Sequence, residues 1–148
     1  MIQSATNPEG APKEVFDAIR DGVLADRSQY YKDLAQPFFG ANREGSAVSQ
    51  GLIDDFWRQG MDVNVAAAYD CITAFSETDL TEDLKAIDVP MFLAHGDDDQ
   101  IVPIDAASRK AIDLVQNGTL KVYPGGPHGI YGAYQKELDQ DILDFLAE

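Results

Sequence analysis

The sequence predicts an α/β chain in which a helical part, residues 1–87, precedes a β-α-β-α unit over residues 88–148 whose two strands run parallel. Two observations carry this reading. Apolar residues recur at three- and four-residue spacing through the first part, as on one face of a helix. From residue 88 the rhythm changes to short apolar runs that end in Gly, Pro or Asp and alternate with a helical period.

Taken in order, Pro12 suits a first helical position, and Val15, Phe16, Ile19 and Val23 make one apolar face. A second helix begins near Asp26 or Arg27 and runs through Tyr30, Tyr31 and Leu34 until Pro37 ends it, leaving Phe38-Phe39-Gly40 as an aromatic turn. Gly45 to Gln50 suits a loop or helix start, and Leu52, Ile53, Phe56, Trp57 and Met61 follow at helical period. A further helix covers about Asn64 to Phe75, and Thr81 to Lys85 reads as a short capped turn. The aromatic residues of these helices either fill a core or line a pocket. In the second part, Met91 to Ala94 is a buried type of strand, and Asp105 to Gln116 one helix closed by Asn117-Gly118. Thr119 to Tyr123 is the second strand, and Tyr131 to Leu146 the last helix, with Leu138, Ile142, Phe145 and Leu146 in phase.

Composition bounds the function. A chain of 148 residues with 45% apolar content builds a core of its own. Its net charge of −15 repels phosphate backbones and anionic lipid, so neither nucleic acid nor a membrane surface is an expected partner. The single cysteine, Cys71, allows no internal disulfide and reads as a packed helical thiol. The first residues hold neither a basic start nor an apolar signal segment, and a soluble, cytoplasmic protein is expected.

Two parallel strands joined by one helix send their carboxyl ends the same way. The acidic loop Asp97-Asp98-Asp99 follows the first strand and His128 the second, so the two loops meet at one sheet edge, where open α/β sheets place their sites. A carboxylate there can orient an imidazole and stabilise its cation while it takes a proton from a nucleophile. Topology leaves open which of the three acids does so. His95 reads as a strand-end residue without catalytic duty, and Asp97 and Asp98 as turn-forming acids bonded to backbone. The acids imitate the start of a calcium loop, but Val102 and Ser108 stand where Gly and Glu are needed, and no metal is expected. No Gly-rich loop ending in Lys-Ser or Lys-Thr occurs, which removes a phosphate-binding loop.

The run His95-Gly96-Asp97-Asp98-Asp99-Gln100-Ile101-Val102-Pro103-Ile104 resembles the acid loop of α/β-hydrolases, in particular their cofactor-free haloperoxidase and arylesterase branch. Gly126-Pro127-His128-Gly129 is similar to the base loop of the same branch. The likeness extends upstream through Glu14 to Asp17, Ala25 to Gln29, Pro37 to Gly40 and Ala74 to Asp79. It covers nearly the whole chain and corresponds to the carboxyl-terminal half of the family, a helical cap followed by the last two strands. The resemblance implies that Asp99 is the triad acid and His128 the base. It also implies a serine nucleophile in a Gly-x-Ser-x-Gly elbow, ester hydrolysis or perhydrolysis with hydrogen peroxide, and no haem, vanadate or metal. None of the serines at 4, 28, 46, 49, 76 and 108 lies in such an elbow.

The chain is therefore expected to be part of such a hydrolase, inactive alone as an esterase. Its expected partners are the missing amino-terminal half or further copies of itself, with a small ester or carboxylic acid as substrate once the site is complete. A self-associating assembly module derived from the fold is the alternative, and an enzyme using Asp99 and His128 alone, with or without a metal, is a third.

Overall fold

A computed structural model describes residues 1–147. Helix α1 spans Lys13–Phe38, but Asp26 leaves helical dihedrals at φ −155° and ψ 84°. Its carboxylate accepts from the Gln29 N–H at 3.0 Å, capping the arm that follows. The two predicted helices are thus the arms of one kinked run. Pro12 stands one residue earlier than expected, as N-cap, and Pro37 lies in the last turn before the chain leaves the helix at Phe39.

Helices α2 (Gln50–Asp62) and α3 (Val65–Glu77) pack against α1. Phe16 and Val23 of α1 bury against Ile72 of α3, whereas Ala35 and Phe39 bury against Ile53 of α2. Arg20 is buried between α1 and α3 and pairs with Glu77. Ser49 caps α2 through the Leu52 N–H, and Asn64 caps α3 by accepting from the Ala66 and Ala67 N–H groups at 2.9 and 3.3 Å. Replacing Asn64 with Ala leaves both donors to water, and a loss of about 1 kcal/mol is expected in urea denaturation. Helix α4 (Thr81–Ala86) lacks a side-chain N-cap; Asp79 accepts from Thr81 N–H instead.

Strands β1 (Met91–Gly96) and β2 (Gly118–Tyr123) pair in parallel, in register from Met91 opposite Gly118 to Gly96 opposite Tyr123. The pairing carries β1 two residues past the predicted end, because Val122 and Tyr123 are there to hold His95 and Gly96 in the ladder. The connection differs from the single helix expected. A 3₁₀ turn, Ile104–Ala106, is separated from α5 (Ser108–Leu114) by Ala107, whose backbone is non-helical at φ −135° and ψ −95°. Helix α6 (Tyr131–Ala147) closes the chain, and Tyr123 donates to its Asp141 at 2.7 Å.

Cys71 is a second departure: it is exposed, not packed, because α3 turns Ile72 rather than its neighbour into the core. The sheet has two strands among the described residues. Leu143 and Leu146 of α6 are 61% and 73% exposed, an apolar face without cover. No described helix is long and apolar enough to cross a membrane.

Candidate active site

The ends of β1 and β2 are stapled by backbone. Asp97 N–H donates to the Tyr123 carbonyl at 3.2 Å and Asp98 N–H to the Gly126 carbonyl at 3.1 Å, while Gly126 N–H turns back to Tyr123 at 2.9 Å. Gly125 makes the turn with φ at +71°, a conformation that favours glycine. The base loop is tied at its other end as well, by Gly129 N–H donating to the Phe38 carbonyl at 2.7 Å.

This frame brings Asp99 and His128 together, with His128 Nδ1 2.8 Å from Asp99 Oδ2. The other carboxylate oxygen, Oδ1, accepts from the Ile101 and Val102 N–H groups, each at 2.8 Å, so the acid is fixed by its own loop. An ionised carboxylate only accepts, so Nδ1 of His128 carries the proton and Nε2 is left with a free lone pair. No described residue hydrogen-bonds that Nε2. The Asp99 side chain is 3% exposed and that of His128 32%, a buried acid behind an accessible base. Burial pushes the Asp99 carboxyl up, but hydrogen bonds from His128, His95 and Val102 outweigh it and hold the group well below the usual carboxylate range. The pair has the geometry of a general base oriented by an acid.

The neighbouring acids have other work. Asp97 accepts from Gly125 N–H at 2.5 Å, a backbone bond as expected but one that reaches across to the other loop. Asp98 departs from expectation: it forms a two-pronged pair with Arg43, at 2.6 and 2.7 Å, because the turn after α1 places that guanidinium opposite. Among the described residues, no group of three or more His, Cys, Asp or Glu side chains is placed to hold a metal ion.

His95, read from the sequence as a strand-end residue without catalytic duty, stands directly beside the acid. Its Nε2 lies 2.9 Å from the Val102 carbonyl and 3.1 Å from Asp99 Oδ2, and its Nδ1 lies 2.6 Å from Ser108 Oγ. The Asp99 hydrogen bond raises the pKa of this ring above the ordinary histidine value, against the opposing effect of burial. The signal available beforehand was its place four residues before Asp99, at the point where strand becomes loop.

One side of the His128 ring is covered by an aromatic cluster at the end of α1. Phe38 meets the His128 ring edge-on at 4.7 Å and packs on Phe56 at 4.6 Å; Phe39 meets Tyr131 at 5.4 Å. An apolar cavity of about 320 Å³ lies between the helices and the acid loop, with Tyr31, Leu34, Phe75, Ile101 and Val102 in its lining.

A parallel sheet that delivers a buried acid and an accessible base to one carboxyl edge, beneath a layer of helices, is a partial α/β-hydrolase fold. Residues 44–133 match the family described as Serine aminopeptidase, S33, and the chain belongs to this family, within the non-haem haloperoxidase and esterase branch of the α/β-hydrolases. A "Non-heme haloperoxidase" of Rhodococcus erythropolis is 52% identical over 99% of this chain and 54% of its own length. A "Bifunctional esterase/perhydrolase" of Acinetobacter calcoaceticus is 46% identical over 99% of this chain and 53% of its own. The crystal structure of a bromoperoxidase from Bacillus anthracis superposes with a TM-score of 0.92 at 30% identity, over 99% of this chain and 53% of that one. The chain spans about half the length of the relatives it matches.

Proposed function

We propose that this chain supplies the acid, Asp99, and the base, His128, of an acyl-transfer site that cleaves small esters or passes their acyl group to hydrogen peroxide. The observation that carries the reading is the 2.8 Å contact between a buried carboxylate and an imidazole whose second nitrogen is open. In the reaction, His128 Nε2 takes the proton of a serine as it attacks the ester carbonyl, and returns it to the departing alcohol. Asp99 keeps the ring in the tautomer that accepts there. Water then releases the acid, and hydrogen peroxide releases a peracid. The apolar cavity does not include His128 in its lining but reaches the acid loop at Ile101 and Val102, whose N–H groups hold Asp99, and suits the hydrocarbon part of such a substrate. The family's chemistry calls for no haem, vanadate or metal.

The sequence holds no serine in a Gly-x-Ser-x-Gly elbow. The nucleophile and the donors that stabilise the oxyanion therefore come from a further polypeptide segment, seated against the two-stranded sheet and the apolar face of α6. The test mixes the chain with the amino-terminal half of the Rhodococcus relative and follows a p-nitrophenyl ester. Turnover is expected in the mixture, not in the chain alone, and is expected to vanish with His128→Ala. Turnover by the chain alone that His128→Ala abolishes would refute the assignment of the nucleophile to another segment.

A further inference from the structure

Where the acid loop folds over, two acceptors face one point. Asp99 Oδ1 is spent on the Ile101 and Val102 N–H groups, which turns Asp99 Oδ2 and the Val102 carbonyl towards the same space. Two buried acceptors with no donor between them repel and lose their water. Among the described residues, the nitrogen that stands close to both is His95 Nε2, hydrogen-bonded to the carbonyl at 2.9 Å and in ion-pair range of the carboxylate at 3.1 Å. Its side chain is 10% exposed and that of Asp99 3%, so water does not readily take its place.

We propose that His95 is a positioning residue for the acid and base: its Nε2–H, shared between the Val102 carbonyl and Asp99 Oδ2, locks the acid loop and leaves Asp99 a fixed carboxylate for His128. The assignment rests on the reading of Asp99 and His128 as acid and base. Both partners of Nε2 can only accept, so the proton sits on that nitrogen in the neutral ring. Nδ1 then accepts from the Ser108 hydroxyl at 2.6 Å. When the ring is charged, the Ser108 hydroxyl turns and accepts from Nδ1–H, and the Nε2–H clamp is unchanged. Asp99 Oδ2 is thus held from two sides, by His95 on β1 and by His128 on the base loop.

The contacts Ser108 to His95 to Asp99 imitate a catalytic triad in outline. They are a brace: Ser108 is only 9% exposed, and its Oγ is held at 2.6 Å by the His95 ring. A histidine that merely fills space at the strand end would keep the fold but leave the charge of Asp99 untouched, and this separates the two roles.

The test is NMR on the full chain, with ¹⁵N in histidine and ¹³C in the aspartate carboxyls. Neutral His95 is expected as the Nε2–H tautomer. In His95→Leu the Asp99 carboxyl is expected to titrate about one pH unit higher than in the native chain. His95→Gln, whose amide N–H reaches the Nε2 position, is expected to restore the native midpoint to within about 0.3 unit. If His95→Leu does not fold, His95→Asn makes the same comparison, since its amide reaches only the Nδ1 position. An Nδ1–H tautomer in the native chain, or an unmoved Asp99 midpoint in a folded Leu or Asn variant, overturns the proposal. Failure of the underlying reading shows elsewhere: Asp99→Asn would then leave the Nδ1–H tautomer of His128 unchanged.

Discussion

Gly96→Ala is expected to destabilise the chain by about 3 kcal/mol and to pull the acid and base apart. Gly96 is the last residue of β1, paired with Tyr123, and a methyl added there would overlap the carbonyl group and Cα of Gly126. These are backbone atoms of the turn that carries the base, not the end of a side chain that can swing away. To make room, the Gly126 turn must leave β1, and the Asp98 N–H bond to the Gly126 carbonyl goes with it. Gly125, next in the same turn, provides the contrast. A methyl there meets only the Tyr134 hydroxyl, at 3.9 Å, so its cost comes from the positive φ alone, about 1 kcal/mol. Urea denaturation of the two variants should rank them in that order. A loss at Gly96 no larger than that at Gly125 would show that the close approach of the two loops is not what holds them.

Asp99→Asn is expected to act on both catalysis and stability. In the complemented enzyme it should lower kcat about 10⁴-fold, because an amide can donate where the carboxylate only accepted and so favours the wrong tautomer of His128. The effect on stability depends on pH with a definite sign. A carboxyl whose pKa is depressed by folding contributes its full stabilisation above its unfolded value, about 4, and loses it as the pH falls towards the folded value. Asp99 is such a group. The native chain should therefore lose roughly 2 kcal/mol through this residue as acid is added below about pH 4. The Asn variant should lack that component, so its curve of urea midpoint against pH should be flatter in the acid range. Equal slopes would mean that Asp99 is not held ionised by its neighbours.

Much of this architecture could be read from local pattern. The apolar runs at Met91 and Thr119 with one helical period between them dictate parallel strands, and parallel strands carry their following loops to the same edge. The meeting of Asp99 with His128 follows from that topology plus a loop motif. What escaped the sequence depends on contacts between distant residues. Arg43 finds Asp98 across 55 positions, which no spacing rule addresses. Ala107 breaks the connecting helix although alanine favours helix most strongly, so tertiary placement outweighs its propensity there. Cys71 and Ile72 share one helical run, and only the direction from which α1 approaches decides which of them is covered. The surroundings of His95 escaped as well, because a ring between a carbonyl, a carboxylate and a hydroxyl is visible only once the loop has folded back on its strand.

The hydrogen bond from Gly129 to the Phe38 carbonyl, with the Phe38 ring against His128, has a mechanical consequence. The end of α1 and the base loop are coupled parts of one linkage. A displacement of the arm of α1 beyond the kink at Asp26 would have to stretch the Gly129 to Phe38 hydrogen bond or shift the Phe38 ring against the imidazole. The helical layer and the ring of His128 are therefore expected to move together, so that a molecule lodged beneath the helices would also turn that ring.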